Sequence, residues 1–254
     1  MKIVTYNLNG IRAAMKRGWL EWLDANQFDI ICVQELKAEP GQLDLTLFES
    51  RGYHAHWHAA EKKGYSGVAI FSKQKPDFVE IGCGNPEFDK EGRVIRADFG
   101  DKSVYSIYFP SGTTGELRQG VKYQFLNYIF EYLQNIQKVR SKLIVCGDYN
   151  IANKDIDIHN PKSNKDTSGF LPEERSWMDK LFGNGFIDSF RHFNQDPHHY
   201  TWWSVRFNAR KNNKGWRIDY IAVTDNLKDN LRGAAILPDA MHSDHCPQMV
   251  EMDW

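Results

Sequence analysis

The segment VIRADFGDKSVYSIYF, residues 94–109, holds two apolar stretches of strand length, at 94–99 and 104–109. Only a short polar turn separates them, and strand-like stretches follow one another from residue 53 to residue 109 without helix-length gaps. Consecutive strands of this kind predict antiparallel sheets rather than a doubly wound parallel sheet. Two sheets packed together, with helices on their outer faces, would bury this many strands.

Further strand-length apolar stretches lie on both sides of this segment, at residues 3–6, 30–33, 68–71, 143–146, 218–223 and 249–252. Apolar residues at intervals of three and four run from Leu117 to Ile136 and predict a long helix. We expect a second helix over about residues 11–26. A third should begin after Pro172, where two glutamates suit a helix N-terminus.

The composition is that of a folded globular protein. The 254 residues are 41% hydrophobic and 26% charged, and 32 basic against 33 acidic residues leave a net charge of −1. We expect one domain over residues 1–254, in which any nucleic-acid contact comes from a local patch. No segment approaches the ~18 apolar residues of a membrane span, and no signal peptide is evident. Four dispersed cysteines predict free thiols in a reducing cytoplasm.

Acidic and amide side chains recur where the apolar stretches end. One such residue is most simply a turn or cap residue, whereas five strand ends of this type predict a shared site. Carboxylate and carboxamide oxygens are the ligands that Mg²⁺ and Mn²⁺ prefer. The residues concerned are Asn7, Gln34, Glu35, Asp148, Asn150, Asp219, Asp244 and His245.

Other catalytic patterns fit the sequence less well. Residues 64–67, GYSG, fail the G-x-S-x-G motif, and no glycine-rich phosphate loop is present. Residues 242–245, HSDH, would need further His or Cys ligands nearby to bind zinc, and their order alone carries no triad geometry. His54, His56 and His58 alternate along one strand, which indicates a solvated or half-buried edge rather than a ligand set.

Two basic stretches predict contact with nucleic acid. The first 20 residues and the segment 203–218 each carry several Lys and Arg residues and no acidic residue. Aromatic residues interleave with the second stretch, which leads directly into Asp219. Basic side chains neutralise phosphates, and aromatic rings stack on exposed nucleotides. The alternative is a solvated loop beside core tryptophans.

Seven short motifs follow one another along nearly the whole chain. They are TYNLNGIRA at 5–13, QELK at 34–37, GYSGV at 64–68, YFP at 108–110, GDYN at 147–150, GWRIDY at 215–220 and SDHCP at 243–247. The series resembles that of the exonuclease III family of apurinic/apyrimidinic (AP) endonucleases. Residues 155–162, continuing to 169–170 and 173–175, and residues 208–210 resemble the DNA-repair branch in particular, rather than the inositol phosphatases and lipid phosphodiesterases of the wider superfamily.

The resemblance implies a four-layer α/β sandwich of the DNase I type, with two mixed, mainly antiparallel sheets flanked by helices. It implies Mg²⁺, or alternatively Mn²⁺, and a double-stranded DNA substrate with an abasic or 3′-blocked lesion. The implied enzyme cuts 5′ to the abasic site, leaves a 3′-hydroxyl and a 5′-deoxyribose phosphate, and has 3′–5′ exonuclease or 3′-end-processing activity. We expect a monomer that has no membrane association.

The resemblance also assigns roles to residues through their motifs. Glu35 would be the main metal ligand, near Asn7, Asn9 and Asp244. The catalytic residues would be Asp148 and Asn150 for the attacking water and Tyr108, His245 and Asp219 for the phosphate. Trp202, Trp216 and Ile218 would wall a pocket for a baseless sugar. The DNA-binding residues would be Arg12, Lys16, Arg17, Tyr65, Arg206, Arg210, Lys211 and Lys214.

Some positions differ from the family pattern. Asn9 stands where many members carry Asp, and Ser111 stands where members often carry Asn or Gln. Arg206 lies where some relatives insert an apolar side chain into the duplex. The sequence leaves open whether Asp148 or His245 is the general base. Two alternatives also stay open, another phosphoesterase activity of the superfamily and a non-catalytic DNA-binding module.

Overall fold

Twelve strands form the centre of the computed structural model, which describes all 254 residues. Eight of them match the apolar stretches of the sequence, and a ninth carries the alternating histidines. The strands are β1 (Lys2–Asn7), β2 (Ile30–Gln34), β3 (His54–His58), β4 (Val68–Ser72), β5 (Phe78–Ile81), β6 (Val94–Phe99), β7 (Lys102–Tyr108), β8 (Lys142–Asp148), β9 (Phe186–Asp188), β10 (Asp219–Thr224), β11 (Leu231–Ile236) and β12 (Gln248–Met252).

The strands form two six-stranded sheets, with the orders β11-β12-β1-β2-β4-β3 and β5-β6-β7-β8-β10-β9. The segment at 94–109 folds as the antiparallel pair β6–β7, in which Val94 lies opposite Ile107. Each sheet has one parallel pair, β1 with β2 and β7 with β8, and its other pairs are antiparallel. The prediction of two mixed, mainly antiparallel sheets is confirmed.

Helices cover the outer faces of both sheets. They are α1 (Ile11–Lys16), α2 (Trp19–Asn26), α3 (Thr46–Glu49), α4 (Pro86–Asp89), α5 (Glu116–Val139), α6 (Pro161–Asn164), α7 (Pro172–Phe182) and α8 (Ser189–Phe193). The long helix predicted from the periodicity is confirmed as α5, and the helix at Pro172 is confirmed as α7. None of the helices combines the length and the apolar composition needed to cross a lipid bilayer.

The prediction of one helix over residues 11–26 is wrong, because the chain turns between α1 and α2. Gly18 adopts a φ of 85°, a left-handed conformation that glycine tolerates and other residues rarely adopt. The amides of Arg17 and Gly18 donate to the carbonyls of Ala14 and Met15 and close the turn. The turn lets Trp19 bury completely while Arg17 stays on the surface.

Three apolar layers hold the sandwich together. The middle layer lies between the sheets and includes Ile3, Cys32 and Ile144. One outer layer surrounds Trp19 and packs α1 and α2 against the first sheet. The other surrounds Phe125 and packs α5 and α7 against the second sheet. All four cysteines are free and buried.

The strand directions bring the polar strand ends to one rim. Because β1 and β2 are parallel, the residues that follow them emerge at the same edge of the first sheet. The parallel pair β7–β8 does the same in the second sheet. Strand β10 is antiparallel to β8 and starts there, with Asp219 opposite Asp148. The two sheets thus present their functional side chains to each other at a single edge.

Candidate active site

A buried carboxylate–imidazole pair forms the centre of this rim. His245 Nδ1 lies 2.9 Å from Oδ2 of Asp219, and Nε2 lies 3.9 Å from Oδ2 of Asp148. Burial by itself lowers the pKa of His245, but the charge of Asp219, its hydrogen bond and the charge of Asp148 outweigh it and raise the pKa to about 10. His245 is therefore an imidazolium at neutral pH.

Asp148 lies between this pair and the first sheet. Its Oδ2 accepts a hydrogen bond of 2.8 Å from Asn7 Nδ2, and its Oδ1 accepts one of 2.8 Å from the backbone N–H of Asn150. Burial and the charge of Asp219 raise the pKa of Asp148 to about 7. The carboxylate is thus poised to accept a proton near neutral pH.

Glu35 carries a carboxylate on the opposite side of the rim. The Lys37 ammonium lies 2.8 Å from Glu35 Oε2 and 2.5 Å from Asn9 Oδ1, so two oxygens already converge on one cation. Tyr108 donates its phenolic hydrogen to Glu35 Oε1. Although burial raises the pKa of Glu35, Lys37 and Tyr108 outweigh it, and the net shift is downward.

Backbone strain is concentrated beside this carboxylate. Asn9, Glu35 and Lys37 have φ values of 45°, 51° and 51°, in the left-handed region. Each such residue costs roughly 1–3 kcal/mol. The strained residues follow the ends of β1 and β2, where the Asn9 and Glu35 side chains both contact Lys37.

Asp244 completes the acidic rim. Its Oδ1 accepts from Asn9 Nδ2 at 2.9 Å, and its Oδ2 accepts from Trp202 Nε1 at 3.1 Å. The pKa of Asp244 is lowered: burial raises it, but the His245 charge and these hydrogen bonds outweigh the burial. Asp244 therefore stays ionised and links the acidic rim to the aromatic residues beside it.

A cavity of about 260 Å³ opens from the rim. Trp202 and Trp216 form one wall edge to face, with ring centroids 6.2 Å apart, and Ile218 lies beneath them. Asn150 and Gly169 lie on another side. The cavity joins a hydrophobic wall to the carboxylates of the rim.

Residues 4–245 match the model of the endonuclease/exonuclease/phosphatase family. The chain belongs to this family. Among its curated relatives, the exodeoxyribonuclease of Bacillus subtilis is 42% identical over 97% of each chain. The DNA repair nuclease APEX1 of Danio rerio is 40% identical over 97% of this chain and 80% of the relative.

Solved structures agree with the family assignment. A 3′–5′ exonuclease from Neisseria meningitidis superposes with a TM-score of 0.93 at 28% identity, covering both chains completely. An AP endonuclease from Archaeoglobus fulgidus superposes with a TM-score of 0.91 at 31% identity, again over both complete chains. The DNase I-like sandwich predicted from the motifs is confirmed.

In this member of the endonuclease/exonuclease/phosphatase family, the rim holds nearly every residue predicted for the site. Gln34 lies elsewhere, since its Nε2 donates to Ser106 Oγ between the sheets. Asn7 is in place, but it faces Asp148 and Glu35 with its amide nitrogen, while its oxygen accepts from the Asn9 N–H. The assignment of Asn7 as a metal ligand stays a prediction, and here its amide nitrogen rather than its oxygen is directed at the carboxylates.

The alternative metal and triad patterns do not assemble. Ser243 Oγ donates to Asp244 Oδ1 and accepts from the backbone N–H of His245 rather than contacting an imidazole, and His242 packs between Tyr6 and Trp22. The histidines of β3 lie on an edge strand, as the alternation indicates. A second grouping is possible at the centre, where ligand atoms of Asp148, Asp219 and His245 lie within 4.8 Å of one another and can hold a metal ion.

Most of the basic residues predicted to bind DNA are on the surface. Arg12 and Lys16 border a cleft of about 620 Å³ next to Lys37. Arg17 is exposed, although it donates to the carbonyl of His242. Tyr65 is half-buried, and its hydroxyl accepts hydrogen bonds from two arginines. In the second basic stretch, the exposed members are Arg206, Lys211 and Lys214.

Arg210 differs from these residues in the partners of its guanidinium group. Its two terminal nitrogens donate to the carbonyls of Pro238, Ala240, Ser243 and His245, so the guanidinium supports the segment that carries Asp244. Four of its five N–H groups are spent on the protein itself. That Arg210 binds DNA phosphate stays a prediction, and here its guanidinium is engaged by the protein's own carbonyls.

Sequence reasoning missed several charged residues behind the rim. Lys37 belongs to the QELK motif at 34–37, but the motif alone does not predict a role for this lysine. Lys122 and Glu174 form a fully buried ion pair behind Asn150. Lys122 stands one residue after Val121 and three before Phe125, on the apolar face of α5, and that placement of a charge was a usable signal.

Proposed function

We propose that the protein is a metal-dependent AP endonuclease that cuts duplex DNA on the 5′ side of a baseless sugar and also processes or degrades 3′ ends. The observation that carries this proposal is that a buried carboxylate–imidazole group and a small cavity with an aromatic wall lie side by side at one rim. The buried Asp148, Asp219 and His245 adjoin a small cavity with an aromatic wall. Relatives named as exodeoxyribonucleases and DNA repair nucleases support it.

The size of the cavity supports a baseless sugar as its occupant. Pockets for drug-sized ligands span roughly 300–1,000 Å³. At about 260 Å³, this cavity is smaller, and Trp202, Trp216 and Ile218 close it. A sugar without a base has an apolar face that suits such a wall. An intact nucleotide would have to unstack and also find room for its base.

The donor set supports a divalent metal at Glu35. A carboxylate and a carboxamide oxygen, from Glu35 and Asn9, already converge on the Lys37 ammonium, and both are hard ligands of the kind Mg²⁺ prefers. Glu35, Asn9 and Asp244 would hold the ion, and Mn²⁺ would substitute for it. When bound, the ion supplies positive charge to the scissile phosphate or the departing oxygen. Asp219 is less suited, because it is engaged with His245.

The chemistry of the protein's own residues follows from their protonation. Asp148 takes a proton from the water that attacks phosphorus, and Asn150 orients that water. The bond from phosphorus to the 3′ oxygen breaks, and this oxygen leaves as the 3′-hydroxyl after protonation. The His245 imidazolium and Tyr108 stabilise the charge that develops on the phosphate oxygens. The phosphate remains on the 5′ side of the baseless sugar.

The two candidate bases differ in their readiness to accept a proton. With its pKa raised to about 10, His245 is already protonated at neutral pH, so it is suited to stabilise negative charge. With the pKa of Asp148 raised to about 7, a substantial fraction of the molecules carry the ionised carboxylate at neutral pH and can accept a proton. This difference favours Asp148 as the base and His245 as the electrostatic partner.

The surface supports a path for duplex DNA across the rim. Arg12 and Lys16 border the cleft next to Lys37, and Arg206, Lys211 and Lys214 are exposed in the segment that leads to Trp216. Local basic residues of this kind bind phosphates even though the net charge is −1. We further propose that one copy of the chain is sufficient for activity and that it works in the cytoplasm, where its four buried thiols stay reduced.

A single substrate series tests the proposal. One duplex carries a stable baseless-sugar analogue, and a matched duplex of the same sequence is intact. We expect one cut, 5′ to the analogue, with a 3′-hydroxyl on one product and a 5′-phosphate on the other. The reaction should require Mg²⁺ or Mn²⁺ and stop with a chelator. Asp148→Asn should abolish the cut and retain DNA binding.

The other outcomes point to different functions. Equal cutting of both duplexes would indicate a general nuclease. If neither duplex is cut with any divalent metal, the nuclease proposal is wrong, and inositol-phosphate and phospholipid substrates become the next assays. Trp216→Ala serves as the internal control for the cavity, because it should reduce the preference for the lesion and leave the metal requirement unchanged.

A further inference from the structure

Lys122 of α5 and Glu174 of α7 form an ion pair in which both side chains are completely buried, with 2.5 Å between Lys122 Nζ and Glu174 Oε1. A buried pair of this kind adds little stability compared with well-packed apolar residues of similar volume, because both ions lose their hydration. The ion pair therefore acts on the protein mainly by orienting the backbone groups that its two side chains bind.

The two charges hold neighbouring backbone groups on one side of the cavity. Lys122 Nζ donates to the carbonyl of Asn150 at 2.8 Å. Glu174 Oε2 accepts from the backbone N–H groups of Gly169 and Leu171, at 2.6 and 3.0 Å. The pair thus fixes Asn150, which follows Asp148 by two positions, and the loop that contacts it.

These backbone groups are in contact with the pocket wall. A Cβ on Gly169 would lie 3.0 Å from the carbonyl oxygen of Asn150 and 3.0 Å from Cζ3 of Trp216. Gly169 has a φ of 96° and Asn150 a φ of 53°, so neither conformation is one that an ordinary residue readily adopts. Small movements of this loop would change both the wall and the position of Asn150.

We propose that Lys122 and Glu174 are positioning residues, which act through Asn150 and the loop at 168–171 to set the width of the sugar pocket and hence its selectivity for a baseless site. The proposal rests on the proposed function for the identity of the pocket's occupant. Lys122 governs the placement of Asn150 and therefore the chemical step. Glu174 governs the loop and therefore the discrimination between lesion and intact DNA.

The test uses Lys122→Met, Glu174→Gln and the double variant, with Leu133→Ala as the control. Leu133 is buried in the same helix, and it lies 11 residues further along, or roughly 16 Å. It therefore reports the effect of lost stability alone. Each variant is measured for thermal stability, for hydrogen exchange of the Gly169 and Leu171 amides, and for kcat and KM on the lesion and intact duplexes.

We expect Glu174→Gln to speed exchange of the two amides at least tenfold and to lower the ratio of lesion to intact cutting about tenfold. Lys122→Met should lower kcat on the lesion by about 10- to 100-fold, since small misplacements have effects of this size, with KM changed less than about threefold. The double variant should lose no more than the worse single variant, because the residues act as one unit. Leu133→Ala should change neither the exchange at these amides nor the ratio.

The proposal is overturned if the pair's variants match Leu133→Ala in all measurements at equal loss of stability. It is also overturned if amide exchange and the lesion ratio stay at the values of the unmodified protein. If the unmodified protein does not cut the lesion at all, the proposed function fails. The exchange at Gly169 and Leu171 then decides the positioning role by itself.

Discussion

Asn7, at the end of β1, donates from Nδ2 to Oδ2 of Asp148, at the end of β8, over 2.8 Å. The hydrogen bond joins the two sheets at the catalytic rim, and it lowers the pKa of Asp148 against the larger upward effect of burial. Asn7 therefore favours the ionised, proton-accepting form of Asp148.

Asn7→Ala should make the protein a weaker enzyme at neutral pH, by roughly tenfold or more, since loss of one oriented donor has effects of this order. Without the donor, the pKa of Asp148 rises, and the acid limb of the pH–rate profile moves to higher pH. The profile of kcat on a lesion duplex measures the shift. Rates that approach those of the unmodified protein in alkaline buffer are the expected control, and a uniform loss at all pH values contradicts the interpretation.

The pH–rate profile should be bell-shaped. Asp148 must be deprotonated and His245 protonated, so activity should rise through about pH 7 and fall through about pH 10. A bound divalent cation adds positive charge near Asp148 and should move the acid limb to lower pH. Profiles recorded at several Mg²⁺ concentrations measure this effect.

Asp219→Asn should move both limbs in the same direction. The charge of Asp219 raises the pKa of His245 and also that of Asp148, so its removal lowers both. The rate should then begin to rise at a lower pH on the acid limb and begin to fall at a lower pH on the alkaline limb. Asp219→Asn and His245→Ala should also be strongly non-additive, because they act as one unit. Independent, multiplicative losses would argue against the pair.

Glu35→Ala should raise the Mg²⁺ concentration for half-maximal activity by more than about tenfold, because it removes the main carboxylate ligand. DNA binding measured by fluorescence anisotropy in a chelator should change little, since the basic patches are intact. Asp101→Ala, which removes an exposed carboxylate paired with Lys102 and Lys142, is the matched control. An unchanged Mg²⁺ titration for Glu35→Ala would remove Glu35 from the metal site.

Lys211 and Lys214 should bind DNA phosphates, whereas Arg210 should support the fold. Replacing both lysines should flatten the dependence of log K on log salt by about one unit for each lost phosphate contact. Arg210→Met should instead lower thermal stability, because it leaves carbonyls near Asp244 without donors. The opposite pattern in binding titrations and melting curves would reverse the two assignments.

The strands that the sequence predicted are the interior strands of the two sheets, together with the edge strand β3, which its alternating histidines indicated. The three strands it missed, β5, β9 and β11, are all edge strands. An edge strand is partly exposed, so it lacks a continuous apolar pattern, and β5 and β11 contain exposed or half-buried positions along most of their length. The helix break at Gly18 was missed because the apolar pattern continues on both sides of the turn.

The site was predictable where a carboxylate stands at the end of an apolar strand. Glu35, Asp148 and Asp219 stood out because each adjoins an apolar strand, and the parallel pairs bring them together. Lys122 offered only its charge on the apolar face of α5 as a signal, and the contacts of Arg210 were not predictable, because backbone carbonyls carry no signature in the sequence. Whether a basic residue faces solvent or the protein's own carbonyls depends on the tertiary contacts alone.

Each sheet has one parallel strand pair that ends at the shared edge, so the residues of the site come from both sheets. The first sheet supplies Asn7 and Glu35, and the second supplies Tyr108, Asp148 and Asp219. Asn7 and Asp148 are 141 residues apart in the chain, so neither sheet alone contains a working site. Contacts of such long range form after the local ones. During refolding, catalytic competence should therefore return last, after the secondary structure and the separate cores have formed.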